Sequence, residues 1–102
     1  MSVLSINKNN FNEIVMKSEK PVLLDFFATW CSPCRMLSPI VDELAEERED
    51  IVVGKINVDE EMELAQQFGV ASIPTLVVIK NGEIVSKSMG FRPKNQIEDM
   101  IN

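Results

Sequence analysis

The chain has 102 residues, 45% hydrophobic and 25% charged, which is ordinary globular usage with room for one core. Its formal charge of −6 argues against nucleic acid and anionic membrane surfaces as partners. No segment approaches the roughly 20 apolar residues of a membrane span, and Met1-Ser2-Val3-Leu4-Ser5-Ile6-Asn7 lacks the basic-then-apolar layout of a signal peptide, so a cytoplasmic, reducing compartment is expected.

In chain order, a short strand is predicted near residues 3–6. Phe11, Ile14 and Val15 then recur at helical spacing, and Pro21 is expected to stop that helix. The run Val22-Leu23-Leu24-Asp25-Phe26-Phe27-Ala28 is apolar on both alternating faces except at Asp25, the pattern of a central strand covered on both sides. Leu37, Ile40, Val41 and Leu44 restore helix spacing, with Pro39 inside, where the missing N–H and the ring clash predict a kink. Residues 51–58 read as another strand, and 60–68 as a short helix ended by Gly69. The strands predicted at 75–79 and 83–87 flank Asn81-Gly82, a strong hairpin signal, and must be antiparallel. Ile97, Met100 and Ile101, after Pro93, give a final helix. The acidic concentrations at 42–50 and 59–63 read as solvated helix faces. With no linker, low-complexity tract or repeat, residues 1–102 read as one domain. Strands joined first through helices and then by a hairpin predict an α/β fold, a mixed sheet with helices on both faces.

The only two cysteines lie in Trp30-Cys31-Ser32-Pro33-Cys34, between a predicted strand and a predicted helix. As a zinc half-site they would need two more ligands, and without His or further Cys only carboxylates or a second molecule could complete the tetrahedron. As a structural staple they would close a loop of four residues, worth about 1.9 kcal/mol against about 3 for a 15-residue loop. Inert buried thiols are expected inside an element, whereas these flank Ser-Pro at a junction. Reversible dithiol/disulfide chemistry fits the spacing, the position and the compartment.

Cys31 begins a helix, where unpaired N–H groups and the positive dipole end favour an anion. Lowering a thiol from ~8.5 to ~7 takes about 2 kcal/mol, near the upper limit for a helix terminus, which leaves direct hydrogen bonds to the thiolate to supply the rest. Cys34, three residues on, shares the helical face and can reach back. Cys31 is thus read as the nucleophile and Cys34 as the resolving thiol. Asp25 either escapes to water at the strand end or is buried; if buried, desolvation raises its pKa and makes it a proton acceptor for Cys34, with Lys55 or a water nearby. Trp30 reads as an exposed aromatic wall for a partner, and Pro33 as a helix-start residue that also fixes the geometry between the sulfurs.

Asp25-Phe26-Phe27-Ala28-Thr29-Trp30-Cys31-Ser32-Pro33-Cys34, then Pro39, Lys55, Ile73-Pro74-Thr75, Lys80-Asn81-Gly82 and Gly90, resembles the thioredoxin family in motif, order and spacing over essentially the whole chain. The resemblance implies a central mixed five-stranded sheet, order 1-3-2-4-5, flanked by four helices. It implies a protein-disulfide reductase that works through a mixed disulfide and takes electrons from an NADPH-dependent flavoprotein reductase. A monomer with no cofactor or metal of its own is expected. It further implies a cis Pro74 opposite the cysteines, the Ile73 backbone free to pair with an extended substrate segment, Lys55 beside Asp25, and Gly90 and Phe91 bordering the site. Ser32 replaces the usual Gly, which leaves the redox potential open, and Phe27 stands where many members have Trp. A disulfide oxidant or isomerase is the nearest alternative, although Ser32-Pro33 leans toward a reductant; a glutaredoxin-like role lacks that family's Pro-Tyr pair. A binding module, with redox turnover incidental to an apolar rim, is the alternative from another class.

Overall fold

The computed structural model describes residues 2–102. Its centre is β2 (Val22–Phe27), which runs parallel to β3 (Val52–Asn57) and antiparallel to β4 (Thr75–Lys80). The two-residue β1 (Leu4–Ser5) pairs outside β3 and β5 (Glu83–Met89) pairs outside β4, giving the order β1-β3-β2-β4-β5. β2 is buried along both faces because helices cover both sides of the sheet. Leu23, Val53, Leu76 and Val78 pack under α1 (Ser32–Glu47) and α3 (Lys94–Ile101) through Leu37, Val41, Leu44, Ile97 and Ile101. On the opposite face Leu24, Phe26, Ile56 and Val77 meet Val15 and Leu64, the latter from α2 (Met62–Gln67). Strand alternation then assigns Asp25 to the face of Leu23 and Lys55 to the face of Val53, both beneath α1.

Local sequence explains the ends of these elements. Asn81 (φ 53°) and Gly82 (φ 78°) both take positive φ, the requirement of the tight turn whose twist matches a two-residue hairpin. At the end of α2 the Val70 N–H reaches the Ala65 carbonyl at 2.9 Å and the Gly69 N–H reaches Gln66 at 3.0 Å, a Schellman closure. Lys94 of α3 donates to Glu43 at 2.7 Å and to Glu47 at 2.6 Å, tying α3 to α1. α1 runs past Pro39 as one element, with Pro39 and Arg35 on its exposed side, so the carbonyl deprived of a helical partner lies on the solvated face.

The first helix departs from expectation. Phe11, Ile14 and Val15 do face the core, but the element is a single π turn, Asn12–Met16, in which the Lys17 N–H bonds the Asn12 carbonyl at 3.1 Å. Pro21 does not stop it. The turn ends at Met16, Ser18 closes the following bend through its hydroxyl, and the Pro21 carbonyl already accepts from the Val52 N–H at 2.9 Å at the entrance of the sheet.

Candidate active site

Cys31 is the N-cap residue of α1, in an extended conformation (φ −91°, ψ 112°), with Ser32 and Pro33 as the first helical residues. Pro33 fits there because the first turn has no intrahelical use for its missing N–H. Cys31 and Cys34 are joined as a disulfide with Cα atoms 5.2 Å apart, and Cys31 Sγ accepts the Cys34 N–H at 3.3 Å. The sulfur next to Trp30 therefore already has the amide donor that a thiolate would use.

The two sulfurs face different surroundings. Cys31 Sγ lies 3.8 Å from the Ile73 carbonyl oxygen. The Ile73-Pro74 peptide is cis, and the Gly90 N–H donates to the Pro74 carbonyl at 2.7 Å, so the segment carrying Gly90 and Phe91 is bonded to the loop opposite the cysteines. Large apolar side chains are exposed at Trp30, at Met36 near the start of α1 and at Phe91 next to Gly90. Trp30 is 68% exposed, Met36 62% and Phe91 37%. The Trp30 indole donates to Asp59 at 2.9 Å, which ties the ring beside a groove of about 360 Å³ that it lines with Val58, Val70 and Ile73.

Cys34 instead lines a half-open pocket of about 220 Å³ shared with Asp25, Phe27, Ala28, Ser38 and Lys55. Asp25 is 1% exposed, and its Oδ1 has no hydrogen-bond partner among the described residues. Burial pushes its carboxyl up from the ordinary 3.8 to about 7, against the pull of Lys55, with Asp42 adding a smaller push in the same direction. Lys55 stands in register with Asp25 across β2 and β3, yet its ammonium donates to Ser38 of α1 and lies 3.5 Å from Asp42 Oδ1. A carboxyl whose pKa is raised to about 7 is partly ionised near neutral pH, and its carboxylate is basic enough to accept a proton from a neighbouring thiol.

The structure thus brings Cys31, Cys34, Trp30, Pro33, Ile73, Pro74, Gly90 and Phe91 to one rim, and Asp25 and Lys55 to the cavity beneath it. Ser32 is exposed between the cysteines. Four contributors lay outside the sequence reading. Met36 carries no signal beyond its place in the helical stretch, and Asp59 belongs to the acidic run at 59–63 expected to be a solvated face. Ser38 and Asp42, one and two turns beyond Cys34, could have been placed on its flank of α1 by the i, i+4 rule.

The family model "Thioredoxin" matches residues 2–102. A thioredoxin of Haemophilus influenzae is 48% identical over 101 residues, covering 98% of this chain and 94% of that one. A thioredoxin of Listeria monocytogenes is 50% identical over 86 residues, covering 83% of this chain and 84% of its own length. Among solved structures, a single-site mutant thioredoxin from Halobacterium salinarum NRC-1 superposes with a TM-score of 0.91 at 38% identity, over 98% of this chain and 88% of that one.

Proposed function

The chain belongs to the thioredoxin family and is a thiol–disulfide oxidoreductase that reduces protein disulfides, and on that premise we propose how electrons and protons pass through it. Reduced Cys31, its thiolate held by the Cys34 N–H and the start of α1, attacks one sulfur of a target disulfide. The S–S bond of the target breaks, one target thiolate leaves, and a mixed disulfide to Cys31 forms. The Cys34 thiol then gives its proton to the Asp25 carboxylate and attacks Cys31 Sγ. The mixed disulfide breaks, the second target thiolate leaves, and the Cys31–Cys34 disulfide present in this structure is the oxidised product. Two electrons have gone to the target, and the two protons of the dithiol end on the target thiols or in water.

The observation that carries this assignment is the split environment of the sulfurs: Cys31 at the rim beside Ile73, Cys34 on the cavity of Asp25. Trp30, Ser32, Pro33, Ile73, Pro74, Gly90 and Phe91 form the surface on which an extended substrate segment lies, the Ile73 backbone pairing with it. The donor that reduces the disulfide again is an NADPH-dependent flavoprotein reductase acting on the same rim. The protein works as a cytoplasmic monomer and engages neither nucleic acid nor membrane, in keeping with its charge of −6; among the described residues no helix is long and apolar enough to cross a membrane.

The roles are tested by trapping. A Cys34→Ser variant should attack targets and stop, so mixed disulfides accumulate on Cys31, while Cys31→Ser should trap none and lose turnover. The reverse pattern would exchange the two roles. Turnover that survives Cys31→Ser would remove the exchange mechanism altogether.

A further inference from the structure

Lys55 is the cation placed by strand register beside the buried Asp25, yet it is not bonded to it. Its ammonium points up to α1, donating to the Ser38 hydroxyl and standing 3.5 Å from Asp42. Ser38 and Asp42 are four residues apart and therefore share one flank of the helix, so they form a two-point tether over the cavity. Ser38, Lys55 and Asp25 all line that cavity, together with Cys34. Lys55 also lines an outer groove of about 670 Å³ that runs along β1. Lys55 thus borders both the pocket of Cys34 and Asp25 and the groove along β1. Asp42 is the weaker half of the tether, because its side chain is 57% exposed and water screens it.

We propose that Ser38 is a positioning residue for disulfide exchange: by holding the Lys55 ammonium against α1 it keeps that cation off the Asp25 carboxylate and so sets the pH at which Asp25 can take the Cys34 proton. The proposal rests on the reading of Asp25 as proton acceptor. The groups facing Asp25 can be named element by element. β3 supplies Lys55; α1 supplies the Cys34 thiol, Ser38, Asp42 and, at the cavity wall, Arg35. β4 places Leu76 in register with it, and Lys94 of α3 is held by Glu43 and Glu47. With Ser38 removed, Lys55 has two anions left to choose between. One is the solvated Asp42. The other is the unpartnered Oδ1 of Asp25, where burial makes an ion pair stronger. The ammonium moves toward Asp25 and favours its ionised form.

The test reads the Asp25 carboxyl directly, by its ¹³C titration in the oxidised protein, where Cys34 has no proton to couple to it. Ser38→Ala should lower the Asp25 midpoint by about one pH unit, a tenfold change in proton affinity. Alanine is the better helix former, so folding is not at risk. Ser38→Thr should keep the native midpoint, since it keeps the hydroxyl. On a Lys55→Met background the same Ser38→Ala change should move nothing, because the tethered cation is gone. An unchanged midpoint in Ser38→Ala, or an equal shift without Lys55, overturns the proposal. The pH profile of mixed-disulfide resolution, followed in single turnover, should shift with the midpoint. A midpoint that moves while the rate profile stays overturns the reading of Asp25 as proton acceptor, and with it a catalytic role for Ser38, while leaving the tether itself demonstrated.

Discussion

Asp25 is a charge-bearing residue placed where its charge is least welcome, in the middle of the central strand and 1% exposed. Its folded pKa of about 7 lies above the ordinary 3.8, so the fold binds its proton more tightly than the unfolded chain does. The stability this gives is fully present below pH 3.8 and is lost as pH rises through about 7. The shift corresponds to about 4 kcal/mol lost by pH 8, an order of magnitude rather than a fixed value. Asp25→Asn should therefore unfold at much higher denaturant than the wild type at pH 8 and at nearly the same denaturant at pH 4, while resolving mixed disulfides more slowly at neutral pH. Equal gains at both pH values would mean that the carboxyl is not forced to ionise in the fold. Both outcomes together would mark Asp25 as a residue kept for the reaction at the expense of stability. That Asp25 was exceptional could be read from the apolar run around it. That Lys55 would turn away from it could not, because the choice depends on Ser38 and Asp42 arriving from a helix whose crossing over the sheet no local pattern encodes.

The elements that build the site depend on one close approach at the sheet edge. β1 is only two residues long, and Ile6 just after it packs against β3 at Gly54, where an added Cβ would sit 2.6 Å from Ile6 Cγ1 and 3.3 Å from Leu24 Cδ2. Both neighbours are in the packed core, so Gly54→Ala should cost about 1–3 kcal/mol in denaturant unfolding. The same change on an Ile6→Ala background should cost clearly less, since the main clash is gone. Additive costs would mean that the strain lies in the β3 backbone instead. The consequence reaches the active site because β3 carries Lys55, and β1 walls the groove on its outer side. The central strands and the hairpin were legible because short continuous apolar runs and Asn81-Gly82 are local signals. The π turn was not, since the spacing of Phe11, Ile14 and Val15 suits any helical turn and only the Asn12 to Lys17 hydrogen bond distinguishes its type.

At the scale of the whole molecule, oxidation state and folding form one thermodynamic cycle. Closing Cys31 to Cys34 removes chain entropy from the unfolded state, worth about 1.9 kcal/mol for so short a loop and favouring the oxidised fold. The reduced fold would regain part of this if the Cys34 N–H, which meets Cys31 Sγ at 3.3 Å in the disulfide, and the helix start hold a Cys31 thiolate. The difference between these terms equals the difference between the disulfide's reduction potential in the folded chain and in the unfolded one, with about 30 mV for each 1.4 kcal/mol. A reductant needs the oxidised fold to be the more stable of the two, and a disulfide oxidant needs the opposite. Ser32 bears on this balance, because it occupies the first helical position between the sulfurs. We expect the oxidised protein to outlast the reduced one by up to about 2 kcal/mol at pH 7, measured as paired denaturant unfolding curves with the thiol state checked before and after. A reduced form more stable than the oxidised one would make the molecule an electron acceptor toward its partners, and would reverse the direction assigned here to electron flow through Cys31 and Cys34.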